Sequence, residues 1–215
     1  MSAMAHASAP TPRRRRPPGQ VRHGLIEAGI ALARAGGPEA VVLREAARHV
    51  GVAPNAAYRH FVDRDALLNA VCIEAMREMA RRMEGEVARV ALGYGTPEGA
   101  LGRLRALGVA YQEFALTEPG LFATGFAVPR HMEYATGDAA AGGWRTPFQL
   151  LEAMLDELVT AGVLPPERRP QAEYVVWSCV HGLAMLVSQG PLRQLPPNIR
   201  TRLSELLLAF IARGL

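Results

Sequence analysis

The sequence predicts an all-α fold, and two of its patterns support this class. From about residue 20 onward, apolar residues recur at intervals of three and four, the period of an amphipathic helix. Alternating β-branched residues bounded by turn signals, which would indicate strands, do not occur in the sequence, and it has no internal repeat. We divide the chain into a basic arm at 1–19, a three-helix domain with a helix-turn-helix at 20–66, and a larger helical domain at 67–215.

The small domain is predicted from short helices joined by a tight turn. Leu43, Ala46, Ala47 and Val50 share one apolar or small-residue face of a two-turn helix. Gly51 follows that face, at the place where helices commonly end in a left-handed conformation. The chain therefore reverses at this glycine, as in a helix-turn-helix. A preceding helix carries an apolar stripe of Val21, Leu25, Ala28 and Leu32.

The helix after the turn presents a polar and basic surface. Pro54 occupies its first turn, where the fixed φ and the missing N–H are tolerated. Ala57 and Phe61 lie one turn apart and are predicted to anchor the helix. Its outward side and its C-terminal end carry phenol, imidazole and guanidinium groups, which suit phosphate oxygens. These outward residues are Asn55, Ala56, Tyr58, Arg59 and His60, with Arg64 just beyond.

A family pattern runs through these helices. A small-residue helix and Gly-Val precede Tyr58-Arg59-His60-Phe61, and Arg64-Asp65-Ala66-Leu67 follows. This pattern resembles the N-terminal domain of the TetR family of transcriptional regulators, tightly over about residues 20 to 70. Farther on, Trp177-Ser178-Cys179-Val180-His181-Gly182 is similar to the Trp-x-x-x-His-Gly signature in the ligand-binding half of one TetR subgroup. The resemblance implies a homodimeric, ligand-responsive repressor that binds double-stranded DNA at a pseudo-palindromic operator.

The same residues supply the predicted DNA contacts. Asparagine pairs well with adenine edges and arginine with guanine edges, whereas phosphates accept from basic and hydroxyl groups. The candidates for base edges are Asn55, Ala56 and Arg59. The candidates for phosphates are Arg44, Tyr58, His60 and Arg64, and Pro54 lies in the adjoining first turn.

The chain departs from the family at the starts of the two motif helices. The family usually has Ser or Thr there, but this sequence has Val42 and Ala53. Neither side chain can accept a hydrogen bond, which should cost on the order of 1 kcal/mol of helix stability per end. No phosphate contact is carried over to these two positions.

Charge and composition favour DNA binding at one end of the chain. Residues 1–64 hold ten Arg against four acidic residues, whereas the whole chain has 24 basic and 20 acidic residues, so the excess positive charge lies in the N-terminal part. The two cysteines, Cys72 and Cys179, are far apart in sequence, which is typical of neither a disulfide framework nor a metal motif. We expect a cytoplasmic protein without a membrane segment, because no apolar run of about 18 residues occurs.

The basic arm has two interpretations. Arg13 to Arg16 lie between prolines and are predicted to be disordered. The arm either extends along phosphates or the minor groove of DNA, adding salt-dependent affinity, or is a solvated tail that contributes no specific contact.

The larger domain is predicted to contain successive amphipathic helices. A long connecting helix at about 65–92 leaves the small domain, and another helix ends at Pro119-Gly120. Gly and Pro residues predict short helices and a mobile loop up to about Phe148. Three further helices are predicted at about 148–162, 169–190 and 198–213.

The last two helices carry broad apolar stripes. The first stripe is Val176, Val180, Leu183 and Val187, and the second is Ile199, Leu203, Leu206, Leu207, Phe210 and Ile211. The TetR resemblance implies that these helices pair with their copies in a four-helix bundle across a two-fold axis. The alternative is that the stripes fill the core of a single protomer.

Aromatic and methionine residues predict an effector pocket. Trp177, His181 and Met185 are four residues apart on one helix face and are expected to face other large side chains across a cavity. Such a pocket suits a small hydrophobic or aromatic effector. The alternative is plain core packing, with His181 donating to a backbone carbonyl. The predicted set is Tyr111, Phe114, Phe122, Phe126, Met132, Trp177, His181 and Met185.

Enzymatic function is not expected. Cys179 and His181 lie on different faces of a helix, and the sequence has no phosphate loop, metal motif or nucleophile elbow. We therefore assign no catalytic residue, no metal ligand and no cofactor. Two other functions remain as alternatives, namely a nonspecific architectural DNA binder and a sensing module without DNA binding.

Overall fold

The computed structural model describes residues 18–128 and 143–215, and these residues form nine α-helices and no strand. The N-terminal helices are α1 (Pro18–Gly36), α2 (Leu43–Val50) and α3 (Pro54–Tyr58). They are followed by the long helix α4 (Arg64–Ala88). The remaining helices are α5 (Pro97–Thr117), α6 (Pro119–Gly125), α7 (Pro147–Thr160), α8 (Ala172–Ser188) and α9 (Pro197–Gly214). The predicted all-α class is confirmed.

The turn between α2 and α3 forms as its sequence predicts. Gly51 has a φ of 74° and a ψ of 33°, the left-handed conformation that glycine adopts at least cost. Pro54 is the first residue of α3. Val42 and Ala53 make no side-chain capping hydrogen bond, whereas Asp63 caps α4 by accepting from the amide of Ala66 at 2.7 Å.

Helix α4 belongs to both parts of the molecule. Leu67 and Val71 are fully buried at its start, where it packs against α1, and Met79 and Met83 are buried farther along against the other helices. A Cβ built on Gly29 of α1 would lie 2.5 Å from Val71, so the two helices approach closely here. The predicted domain boundary between residues 66 and 67 falls inside this continuous helix, and the boundary itself stays a prediction.

A second junction joins α1 to α6. A Cβ built on Gly120 would lie only 2.2 Å from the carbonyl oxygen of Ala33, so the first turn of α6 rests on the last turns of α1. Nearby, the thiol of Cys72 in α4 donates to the carbonyl oxygen of Thr124 at 2.9 Å. The N-terminal helices are therefore in direct contact with the larger helical part through two separate elements.

A buried ion pair fixes the far end of the larger part. Arg103 of α5 pairs with Glu157 of α7, and its guanidinium also donates to the carbonyl oxygens of Leu92 and Gly93. Both side chains are almost inaccessible to water. The hydrogen bonds from Arg103 lower the pKa of Glu157, so the carboxylate stays charged inside the protein.

Two predictions fall outside the described residues. Most of the basic arm predicted at 1–19, including Arg13 to Arg16, lies within 1–17, whereas its last two residues, Pro18 and Gly19, are the first residues of α1. Met132 and most of the predicted loop lie within 129–142.

Candidate functional site

Helix α3 is held to the small domain by one side only. Ala57 is fully buried and Phe61 is 4% exposed, so both predicted anchors pack into the core. Asn55 and Arg59 lie on the exposed side, and Ala56 is half-buried between these two sides. The α-helix is shorter than the sequence pattern implies, because it ends at Tyr58, and Arg59 and His60 continue in a turn.

Further polar groups surround this exposed side. Arg44 of α2 and Pro54 of α3 are exposed, Tyr58 is 45% exposed and His60 is half-buried. The side chain of Arg44 makes no ion pair or hydrogen bond with the residues that the structure describes, so its guanidinium is available to an external anion. Seven of the eight predicted DNA-contact residues are thus exposed or half-buried, on α2, on α3 and in the turn that follows α3.

Arg64 is placed differently. Its Nε donates to the carbonyl oxygen of Val41 at 3.0 Å, and its terminal nitrogen donates to that of Pro38 at 2.7 Å. These bonds join the start of α4 to the loop between α1 and α2. The guanidinium that the sequence suggested for phosphate is therefore largely engaged by the protein's own backbone.

Arg22 was missed by the sequence analysis. Its guanidinium lies over the ring of Phe61, with 5.2 Å between the guanidinium carbon and the ring centroid. Arg22 is exposed on α1 and extends the positive surface beside α3. Its position on the polar side of the predicted α1 stripe was the available signal.

A cavity of about 630 Å³ lies between α5, α7, α8 and α9, with Met83 of α4 at its wall. Tyr111 and Trp177 from the predicted set line it. Apolar side chains form most of the remaining wall. They include Leu104, Leu107, Leu151, Val176, Val180 and Ile211.

An aromatic cluster lies behind the wall of the cavity. The ring centroids of Phe126 and His181 are 4.6 Å apart, those of Phe122 and Phe126 are 5.1 Å apart, and those of Tyr111 and Phe122 are 5.5 Å apart. Trp177 lies beside His181, with ring centroids 5.7 Å apart and ring planes inclined at 49°. Phe122, Phe126 and His181 therefore support the cavity wall without being part of the lining.

Two other predicted pocket residues lie away from the cavity. Phe114 is buried against α4, where the guanidinium of Arg82 lies 5.0 Å from its ring centroid. Met185 is 36% exposed on α8 and does not line the cavity. Residues four apart share a helix face only approximately, so Met185 has turned away from the face that carries Trp177.

His181 hydrogen-bonds to a side chain and not, as the alternative interpretation held, to a backbone carbonyl. Its Nδ1 lies 2.7 Å from the hydroxyl of Tyr111, and the indole Nε1 of Trp177 donates to the same hydroxyl at 3.3 Å. Burial lowers the pKa of His181 and raises that of Tyr111, so both groups are neutral near pH 7. The phenol oxygen accepts from the indole, and the tautomer of the neutral imidazole decides which group donates in the bond between the phenol and Nδ1.

Comparison with known families agrees with this geometry. Residues 25–71 match the family described as bacterial regulatory proteins, tetR family, and residues 104–211 match the tetracyclin repressor-like C-terminal domain. The chain belongs to the TetR family. TetR-family members are transcriptional regulators with a helix-turn-helix DNA-binding domain and are generally not enzymes. Neither match names the Trp-x-x-x-His-Gly subgroup, which stays a prediction.

Solved structures share the fold. A protein of unknown function from Rhodococcus sp. RHA1 is 26% identical, with a TM-score of 0.70 over 91% of this chain and 95% of that one. A tetR-family transcriptional regulator from Pectobacterium atrosepticum is 21% identical, with a TM-score of 0.63 over 94% and 97%. One from Streptomyces coelicolor is 22% identical, with a TM-score of 0.59 over 90% and 79%. No curated protein matches the sequence.

Two features are absent from the residues that the structure describes. Among them, no helix has the length and apolar character needed to cross a membrane. Within the same ranges, no group of three or more His, Cys, Asp or Glu side chains is arranged to hold a metal ion.

Proposed function

We propose that this TetR-family regulator is a homodimeric cytoplasmic repressor that a small hydrophobic molecule releases from a pseudo-palindromic operator. The observation that carries the proposal is the arrangement of α3. Ala57 and Phe61 fix one side in the core, which leaves Asn55 and Arg59 exposed on the other. A rigid short helix with amide and guanidinium groups on its free side suits the major groove.

The contacts on DNA divide into two kinds. We assign Asn55, Ala56 and Arg59 to base edges, because these residues carry the exposed side of α3 and the turn that follows. We assign Arg44, Tyr58 and His60 to phosphates, with Pro54 placed beside the backbone. We assign no DNA contact to Arg64, because the backbone carbonyls of Val41 and Pro38 accept hydrogen bonds from its guanidinium.

Dimerisation is supported by a different face of α8 from the one that the sequence suggested. Val176, Val180 and Val187 are buried inside the protomer and fill its own core. Val175 is 66% exposed and Phe210 of α9 is 65% exposed, and both lie on faces that nothing in the described protomer covers. Leu186 and Leu206 are exposed on the same two helices.

Three of these exposed residues, Val175, Leu186 and Phe210, form what we call the α8–α9 apolar face, whereas Leu206 lines the cavity. A Cβ built on Gly182 of α8 would meet nothing within 4 Å, so the helix backbone is open to close approach there. We place a second copy of the chain on this face. A two-fold pair would bring two α3 helices to successive major grooves about 34 Å apart or a multiple of it.

Release from DNA requires a connection between the cavity and α3. The α1–α6 junction and the length of α4 supply this connection, because the aromatic cluster includes Phe122 and Phe126 at α6 and α6 rests on Ala33 of α1. We propose that the ligand favours a position of α6 and α4 in which the two α3 helices are wrongly spaced for the operator.

The direct test selects fragments bound by the purified full chain from random duplex DNA. A palindromic consensus with two half-sites is expected, and Arg59→Ala should then lower the preference for that consensus over random DNA by about 1–3 kcal/mol. Arg213→Ala, at the opposite end of the chain, is the control. Equal loss on consensus and random DNA would refute the Arg59 assignment, and no retarded DNA at low salt would refute the function.

The dimer has its own test. Phe210→Glu places a charge on the α8–α9 apolar face and should convert the protein to a monomer in light scattering at micromolar concentration. Phe210→Leu, which keeps the apolar character, should remain dimeric. A wild-type chain that is monomeric at these concentrations would contradict the proposal.

A further inference from the structure

The cavity combines a hydrocarbon interior with a charged rim. The side chains of Leu107, Val176 and Val180 are each less than 9% exposed, yet they face the void, so the interior is both apolar and shielded from bulk water. A volume of about 630 Å³ lies within the range of small-molecule sites, about 300–1,000 Å³. A ligand must therefore bury mainly apolar surface here.

Among the described residues, the interior of the cavity offers no free hydrogen-bonding side chain. Tyr111 and Trp177 are the polar groups of the inner wall, and they satisfy one another and His181. A hydroxyl, amide or charged group placed deep in the cavity would lose its water hydrogen bonds without replacement. The buried portion of the ligand is therefore an alkyl or aryl group.

The rim, in contrast, carries unmatched positive charge. Arg105 of α5 and Arg202 of α9 both line the cavity and are exposed, which places them where it opens to solvent. The side chain of Arg105 makes no ion pair or hydrogen bond with any residue in the described ranges. Arg202 makes one long contact, 3.5 Å to Glu205 one turn along its own helix. Two guanidinium groups thus face one carboxylate, leaving a net charge of +1.

Building on the proposed function, we infer that the ligand of this cavity is an amphiphilic anion, with an apolar body inside and one carboxylate group at the rim between Arg105 and Arg202. A guanidinium matches a carboxylate in a paired geometry that a neutral headgroup does not offer. A cationic amphiphile would meet repulsion at the same place, so the rim selects the sign of the headgroup while the interior supplies general affinity.

The test compares three probes with one ten-carbon chain, namely decanoate, decanol and decyltrimethylammonium. Each is titrated by calorimetry, below its micelle concentration, into the purified full chain at pH 7.5 and low salt. Decanoate should bind at least tenfold more tightly than decanol, and the cation should bind more weakly than both. Raising the salt should shrink the preference for decanoate, because exposed charges are screened.

Variants locate the preference. Arg105→Gln with Arg202→Gln should reduce the decanoate-to-decanol ratio to less than threefold. Arg213→Gln on α9 removes the same charge outside the cavity and should keep the full ratio. Ala209→Trp, at an exposed lining position, should weaken both probes at least tenfold by occupying the space. Circular dichroism confirms that each variant is folded.

Several results would overturn the inference. These are equal affinity for decanoate and decanol, tightest binding of the cation, no binding of any probe, an unchanged ratio in the double arginine variant, or undiminished binding to Ala209→Trp. The titrations contain no DNA, so they are separate from the proposed function. Decanoate that binds in the cavity but leaves the operator complex intact would contradict ligand release while supporting the headgroup preference.

Discussion

Arg34 and Glu118 form an ion pair, with 3.2 Å between Nε and Oε2, across the junction between α1 and α6. Arg34 lies in the last turn of α1, and Glu118 is the single residue between α5 and α6. Both side chains also belong to a larger network, because Glu78 of α4 contacts Arg34 and Arg82, and Arg82 contacts Glu118. Four charges therefore connect α1, α4 and the start of α6.

Breaking this network should change the coupling between ligand binding and operator binding more than it changes the stability of the fold. Arg34→Gln removes contacts between partly exposed groups, so the free energy of unfolding should fall by less than about 1 kcal/mol. The ratio of operator affinities without and with decanoate should move toward one, as measured by fluorescence anisotropy. Arg145→Gln breaks an exposed pair with Glu84 away from the junction and serves as the control. An unchanged ratio in Arg34→Gln would exclude the network from coupling.

Gly120 is expected to tolerate no side chain. Its Cβ would meet backbone oxygens of Ala33 and Arg34 at 2.2 and 2.9 Å, and backbone moves less readily than a flexible side chain. Gly120→Ala should therefore cost about 1–3 kcal/mol in chemical denaturation. Gly85→Ala in α4, where a Cβ meets nothing, should instead stabilise by about 0.5–1 kcal/mol. Equal effects at the two glycines would show that α6 does not rest on α1 this closely.

The buried pair of Arg103 and Glu157 should contribute a stability that depends on pH. Arg103→Met leaves the Glu157 carboxylate buried without its partner and should cost about 3–5 kcal/mol near pH 7. In the wild type the pKa of Glu157 is lowered, so its contribution to stability is present above the unfolded value of 4.5 and is lost as the pH falls through the lower folded pKa. In Arg103→Met, burial without the guanidinium should raise the pKa of Glu157 instead.

Urea titrations between pH 4 and pH 8 distinguish these cases. The deficit of Arg103→Met relative to wild type should shrink as the pH falls, because the stranded carboxyl takes up a proton. Adding Glu157→Gln to Arg103→Met should recover part of the stability at pH 7 and remove the pH dependence of the deficit. A deficit that stays constant over this range would contradict the assignment.

His181 should make the protein sensitive to mild acid. Burial lowers its pKa below the ordinary 6.5, so the unfolded chain binds a proton more readily than the folded one. Stability is therefore expected to fall as the pH drops below 6.5 and to level off below the folded pKa. His181→Gln should reduce this slope between pH 7.5 and 5.5, whereas replacing the exposed His23 by Gln should leave it in place. Equal slopes in wild type and His181→Gln would disprove the effect.

Arg64 and Arg44 offer a matched pair of substitutions. Arg64→Met removes two charged hydrogen bonds to backbone carbonyls and should lower the free energy of unfolding by about 1–3 kcal/mol. Arg44→Met should stay within about 0.5 kcal/mol of wild type in stability, weaken binding to all DNA sequences, and reduce the salt slope by about one. The reverse pattern would restore Arg64 to the phosphate-contacting set.

The small domain was predictable because its signals are local. Gly51 and Pro54 fix the turn by backbone conformation, and the buried Ala57 and Phe61 are one turn apart, so each signal lies within a few residues. The hydrogen-bond partners of Arg64 could not be predicted, because its long side chain donates to carbonyls 23 and 26 positions earlier in the chain. Only the folded loop between α1 and α2 brings those atoms together.

The orientation of α8 was harder to predict for a different reason. Its sequence is apolar around most of the helix, so periodicity cannot distinguish the side that faces the protomer core from the side left exposed. Val176 turned out to be buried and Val175 exposed. The sequence also did not predict the rim arginines of the cavity, because Arg105 and Arg202 line the same cavity only when α5 and α9 pack side by side.

The thiol of Cys72 can serve as a chemical probe of the contact between α4 and α6. Its thiol is fully buried, donates to Thr124 across the contact between α4 and α6, and has its pKa raised to about 12 by burial. The reactive thiolate is thus almost unpopulated while the two helices remain together. In a Cys179→Ser background, the alkylation rate at neutral pH therefore reports how often α4 and α6 separate, without any label attached to the protein beforehand.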